Sequence, residues 1–178
     1  MIWIIVRQLK KQQHELGDYV YRQNEISDNL YLIHTGIIRI YTEQTQHSLY
    51  EYVAGQYFGN CELFTNTYRL GSAFVTQDAQ FYRINKFKLD NILLDYKDIK
   101  RELVLKAIKG NKEFLHKKTH MLEHDRKDPL YGVNTKMILA LEDISKVKSQ
   151  LTVLEKEMRS GYVKKMNDDG EVEYSEHT

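Results

Sequence analysis

Short apolar-aromatic runs separated by turn residues fill residues 14–84, and this punctuation limits the possible folds more than any other feature of the chain. Residues 18–21 form one such run. Asn24 follows, a residue that tolerates the left-handed conformation a turn there needs. Residues 30–33 form the next run and end at His34-Thr35-Gly36. Residues 37–41 alternate, Ile38 and Ile40 against Arg39 and Tyr41, as a half-buried strand does. Residues 48–53 alternate likewise and stop at Ala54-Gly55, and Phe74-Val75 and residues 81–84 are the last two runs. Strands at this spacing predict a small sandwich or barrel.

The pattern then becomes helical. Leu89, Ile92, Leu93 and Tyr96 share a helical face, as do Ile99, Leu103, Ala107, Ile108, Phe114 and Leu115. Gly110-Asn111 is a weak point in the second helix, and the basic residues between 97 and 127 read as a solvated face. Asp128-Pro129 breaks the helix. Over residues 134–160, Met137, Ala140, Ile144, Val147, Leu151, Leu154 and Met158 recur at intervals of three and four. That is an a/d seam for a coiled coil with a second copy, or for packing on the same chain; Lys148 and Glu157 at e and g positions permit charge pairing. Residues 161–178 are acidic and poor in apolar side chains, and are expected to be disordered.

Composition removes several classes of function. The 178 residues carry 26 Lys and Arg against 25 Asp and Glu, a net charge of +1, so no chain-wide nucleic-acid or anionic-membrane footprint exists. A single Cys61 excludes an internal disulfide framework and a four-cysteine zinc site, and suits a reducing, cytoplasmic setting. The apolar run over residues 1–6 is far shorter than the ~20 residues a membrane span needs, and it lacks the marks of a signal peptide. No phosphate-loop, nucleophile-elbow or zinc-protease motif is present, so an enzyme is not expected. His116, His120 and His124 stand at i, i+4 and i+8, a spacing that can hold Zn²⁺ or Ni²⁺ but reads better as a solvated stripe, so no metal is expected. Cys61 has no histidine in motif relation to it and reads as a small packing residue. The tyrosines fall in strand runs without an interleaved basic motif, which points to sheet packing.

The densest glycine cluster carries the chemistry. In Gly55-Gln56-Tyr57-Phe58-Gly59-Asn60-Cys61-Glu62, Gly59 allows close backbone approach, and a helical turn after it presents free N–H groups to an anion. Arg69 supplies a forked, permanently charged partner for a phosphate, and Ser72 a hydroxyl donor.

In their order and spacing these segments resemble the cyclic nucleotide-binding domain family, the β-roll of catabolite activators, protein kinase A regulatory subunits and cyclic nucleotide-gated or hyperpolarisation-activated channels. Gly17-Asp18-Tyr19-Val20 is similar to the family's GDYI opening, and Leu30 through Gly36 to its LYxIxxG hairpin. Gly55-Gln56-Tyr57-Phe58-Gly59 is similar to GxYFG at the head of the phosphate cassette, and Arg69-Leu70-Gly71-Ser72-Ala73 to RTASV at its exit. The cassette length is nearest to the channel members. The resemblance implies an α+β fold: an antiparallel, jelly-roll-like β-roll, two lid helices and the C-terminal helix with its seam. It implies a domain over 14–124, preceded by a segment 1–13 that reads as a truncated helix, with the chain a piece of a larger protein such as a channel. It implies a regulatory cAMP or cGMP site formed by Phe58, Gly59, Asn60, Cys61, Glu62, Arg69, Leu70, Gly71 and Ser72, with Asn111 and Phe114 of a closing helix capping the base. A homo-oligomer, a channel or an effector would read the movement through the C-terminal helix.

Three departures favour a different reading, a degenerate, nucleotide-free roll that serves as an interaction or oligomerisation scaffold. Asn60 stands where the family has the glutamate that binds the ribose hydroxyl, and loss of that charge-assisted bond costs ~1–3 kcal/mol. Leu70 replaces a threonine often linked to cGMP preference. Glu62 puts a carboxylate in the cassette, where it would repel a phosphate or pair with Arg69. Only about 50 residues follow the roll and its helix, and they show a heptad seam instead of a compact three-helix DNA-binding pattern, so nucleic acid is not an expected partner.

Overall fold

The alternating runs assemble into an antiparallel β-roll. The computed structural model describes residues 2–43, 45–127, 135–160, 162–166 and 172–176. A short helix α1 (Ile2–Gln8) leads to β1 (Lys10–His14), β2 (Tyr19–Tyr21), β3 (Asn29–Thr42), β4 (Thr45–Val53) and β5 (Tyr57–Phe58). Helix α2 (Asn60–Thr65) and strand β6 (Ser72–Asn85) complete the roll. The sheet runs β1-β6-β3-β4, with β2 also on β6 and β5 on β3. Its axis is the pairing of the two 14-residue strands β3 and β6, from Asn29 opposite Asn85 to Tyr41 opposite Ser72.

Two expected breaks turn out to be bends within continuous strands. His34-Thr35-Gly36 is not a turn between strands; the register shifts there between Ile33 and Ile38 while the pairing with β6 continues. Gly36 has φ 93°, and a Cβ on it would lie 2.5 Å from the Asp78 carbonyl oxygen, so the bulge lets β3 curve closely against β6. Residues 74–75 and 81–84 likewise belong to one strand, β6. Of the segment before residue 14, read as a truncated helix, residues 2–8 are helical while residues 10–14 are sheet, pairing Lys10 with Arg83 through His14 with Ala79. Lys-Lys-Gln-Gln-His has no apolar alternation because it is a polar edge strand, the composition that discourages edge-to-edge association.

Inside the roll, Tyr21, Tyr31, Ile33, Ile38, Ile40, Phe58, Val75 and Phe81 form one core cluster, into which Phe114 also projects. Helix α3 (Lys86–Leu93) starts where Asn85 Oδ1 accepts the Phe87 N–H at 3.0 Å. Helix α4 (Lys97–Lys127) is unbroken at Gly110-Asn111. There the missing Cβ makes room for α2: one placed on Gly110 would lie 2.6 Å from Cys61 Sγ. The break expected at Asp128-Pro129 lies outside the described residues.

Helix α5 (Thr135–Ser160) carries the heptad seam, and this chain already covers it. Ala140, Ile144 and Leu151 are buried in one cluster with Leu115 and Leu122 of α4, and Val147, Leu154 and Met158 pack against it. The side chain of Met137 lies outside the described residues. Polar ties hold the two helices together: Arg101 Nε donates to the Met158 carbonyl at 3.0 Å, and Lys112 pairs with Glu155. A heptad period specifies only that an apolar stripe must be covered, and α4 of the same chain meets that need.

The segment expected to be disordered contains two paired strands, β7 (Tyr162–Met166) and β8 (Val172–Glu176), Tyr162 opposite Glu176. Tyr162, Val163, Val172 and Tyr174 are good strand formers that the acidic composition obscured. Residues 161, 167–171 and 177–178 lie outside the described residues.

Because Leu151 is 1% exposed within its own chain's core, Leu151→Asp should cost at least ~3 kcal/mol in urea unfolding and leave the light-scattering mass unchanged. A change of mass at native stability would return the seam to a second copy.

Candidate functional site

Strand β5 delivers the cassette. Phe58, fully buried, anchors it by stacking on Tyr31 at 5.0 Å between centroids. Phe58 is therefore core, not a ligand contact. The next residue, Gly59, turns left-handed at φ 75°, ψ 10° and starts α2. Glycine is required there for a second reason, since a Cβ would lie 2.8 Å from Arg69 Nη1. The first N–H groups of α2 have no intrahelical acceptor and no capping side chain.

A cavity of about 190 Å³ sits between this turn, the roll and α4. Gly59, Asn60, Cys61 and Glu62 line it from the cassette, and Asn111 and Phe114 from α4. The structure thus brings together six of the residues picked from the sequence. Tyr21, Tyr50, Tyr52 and Glu113 also line it and were missed. Tyr50 and Tyr52 were detectable in principle, because i and i+2 on one strand share a face.

Arg69 is not in that lining. It is 1% exposed and satisfied from inside: Nη1 donates to the Gly59 carbonyl at 2.8 Å and Nη2 to the Asn29 carbonyl at 2.6 Å. Glu62 Oε2 lies 3.6 Å from Nη1, so the carboxylate turns inward and pairs with the arginine. The guanidinium also lies 4.2 Å from the Tyr21 ring centroid. One donor is left over: Arg69 Nε is buried with no partner. The expected exit residues are likewise occupied. The Ser72 hydroxyl accepts the Gln23 N–H at 2.8 Å, Leu70 packs in the apolar layers, and Gly71 lies under Phe114.

Helix α4 already rests over the cavity. Asn111 Nδ2 donates to Thr65 Oγ1, and the Thr65 hydroxyl donates to the Cys61 carbonyl, each at 2.8 Å. Phe114 stacks on Tyr50 at 5.9 Å and 12°. The cavity's lining includes two carboxylates, Glu62 and Glu113, and no lysine or arginine among the described residues. Burial, then Glu62 and Glu113, push the Cys61 thiol up to about 12, so it stays protonated and unreactive. Burial also raises the Tyr21 and Tyr52 hydroxyls well above the ordinary phenol range. His116, His120 and His124 are all exposed on α4. Among the described residues no three His, Cys, Asp or Glu side chains gather as a metal site would need.

Arg69→Met should destabilise the fold by about 3–5 kcal/mol in urea, because it leaves Glu62 and two carbonyls without their cation. A loss below about 1 kcal/mol would mean the guanidinium is not internally paired.

Comparison with known proteins agrees with this architecture. Residues 11–96 match the cyclic nucleotide-binding domain family. The solved structure of cAMP-bound PfPKA-R (141–441) is similar with TM-score 0.52 at 18% identity, over 63% of this chain and 38% of that one. A putative cyclic nucleotide-binding protein from Geobacter metallireducens GS-15 aligns with TM-score 0.49 at 18% identity, over 58% of this chain and 75% of that one. No curated protein sequence matches. Nearness to the channel members is not among these findings, and no helix among the described residues is long and apolar enough to cross a membrane.

Proposed function

We propose, from the match of residues 11–96 to the cyclic nucleotide-binding domain family, that the chain is a regulatory module whose cassette takes a cyclic nucleotide, cAMP or cGMP, by exchanging an internal carboxylate for the ligand's phosphate. The observation that supports this is Arg69: a buried guanidinium directly beneath Gly59, with Nε unpartnered and only Glu62 as its counter-ion. An anion arriving at the α2 N–H groups would compete with Glu62 for that cation.

Three consequences follow. A cavity of about 190 Å³ is smaller than the ~300 Å³ at which small-molecule sites usually begin, so α4 must move to admit the ligand. Asn111 and Phe114 would then trade Thr65 and Tyr50 for the base, and the displacement of α4, with α5 packed on it, is the signal. Affinity is weak, because Arg69 gives up a made hydrogen bond and Asn60 offers the ribose a neutral partner, each worth ~1–3 kcal/mol. Regulation is by binding, not catalysis, on the cytoplasmic side where a reduced Cys61 is at home. The cAMP in the similar PfPKA-R structure makes cAMP the first ligand to test.

One observation favours the scaffold reading instead. The charged residues that line the cavity are the carboxylates Glu62 and Glu113, and Glu62 already holds the cation a phosphate would need.

Calorimetric titration with cAMP and cGMP, and 5′-AMP as control, separates the two. On the sensor reading a cyclic nucleotide alone binds saturably, and Glu62→Gln tightens it about tenfold, ~1.4 kcal/mol, by removing the competing charge. Asn60→Glu should strengthen it further through the ribose hydroxyl. No saturable heat at millimolar ligand in any of the three folded proteins establishes the scaffold.

A further inference from the structure

A second cavity of about 380 Å³ opens between residues 66–70, the turn at Gln23-Asn24, α4 and α5, and none of its lining residues belongs to the first. Its charged lining is Arg69, Lys118, Asp143 and Lys146. Three cations and one carboxylate thus line it, whereas the charged lining of the first cavity is Glu62 and Glu113.

Lys118 is the unusual member. It is 6% exposed, and among the described residues its ammonium has no hydrogen bond or ion pair. A cation on a nearly buried stem, with no counter-charge in contact, favours an anion that can reach it. Desolvation pushes its pKa down to about 8, with Asp143 and Glu43 opposing the shift. Asp143 is not a close partner; it is exposed, and 3.7 Å from Lys146. Arg69, which lines the same space, carries a buried donor without an acceptor, Nε. The nearly buried Lys118, whose ammonium opens outward from its stem, and Arg69 thus border one cavity with an amide-bearing turn beside them.

We infer that this second cavity is an anion site that takes the oxyanion group of a small phosphorylated or carboxylated metabolite, with Lys118 as its principal ligand. The ligand bridges the cassette exit, α4 and α5, so its occupancy stiffens the contact through which α5 follows α4. The inference stands whether or not the first cavity binds a cyclic nucleotide.

Bound oxyanion stabilises protonated Lys118, so binding takes up a proton and weakens as pH rises through the folded pKa. The charged groups facing Lys118 are Arg69 and Glu43 from the roll and Asp143 and Lys146 from α5. The test is calorimetry of the full chain with sulfate, which does not titrate in this range, at pH 7 and pH 9.5. Inorganic phosphate and acetate at pH 7 separate a tetrahedral from a planar oxyanion. We expect saturable sulfate binding that weakens about tenfold or more at pH 9.5. It should be lost in Lys118→Met, whose fold is checked by circular dichroism, and retained without the pH dependence in Lys118→Arg. Equal sulfate affinity in wild type and Lys118→Met overturns the inference, as does the absence of saturable heat with all three anions. Sulfate binding that is displaced by cAMP and survives in Lys118→Met places the anion in the first cavity, and overturns it equally.

Discussion

A permanently charged guanidinium buried in a roll of aromatic side chains needs acceptors and a counter-charge, and Arg69 imposes that demand on everything around it. Its two terminal nitrogens hold the carbonyls of Gly59 and Asn29, joining the cassette turn to the start of β3. Its backbone holds the 22–25 turn from both directions, through Asn24 N–H to its carbonyl and its N–H to Glu25, each at 2.9 Å. Its face lies on Tyr21. Segments some 40 residues apart in sequence thus meet at one side chain. The left-handed Asn24, at φ 68°, and the left-handed Gly59 exist to let them approach.

Glu62 follows from that demand. Two neutral carbonyls solvate a buried cation but do not neutralise it, and with no ligand phosphate the carboxylate at 3.6 Å is the available counter-charge. The same residue that looks hostile to an anion from the sequence therefore serves as the partner of buried Arg69. On the proposed sensor reading, competition between Glu62 and a phosphate for one cation is a switch in which each state pairs the charge. The difference in free energy between the states stays small enough for a ligand to control.

How much of this the sequence revealed depends on the range of the interaction. Alternation at Ile38 and Ile40, the left-handed potential of Asn24 and the glycine at 59 are local, and the structure has each as expected. Polar β1 is a strand only because β6 accepts it, so no local pattern marks it. Gly36 reads as a turn residue because bulges and turns ask the same conformation of glycine, and only the neighbouring Asp78 backbone tells them apart. The cassette residues were legible as a cluster, yet where Arg69 and Ser72 direct their polar atoms was not. Those directions are set by Asn29, at the start of β3, and Gln23, in the turn after β2. Lys118 was hidden in a basic stretch that reads as a solvated face, and it is buried only because α5 returns over it.

The return of α5 also bears on how any signal leaves the roll. A seam exposed for a second copy would make oligomerisation the output. Here Ala140, Ile144 and Leu151 are buried with Leu115 and Leu122, so a displacement of α4 must either carry α5 with it or uncover an apolar stripe. Uncovering three buried aliphatic side chains costs several kcal/mol, more than a weakly bound nucleotide supplies by differential affinity. On the proposed sensor reading the two helices therefore move together.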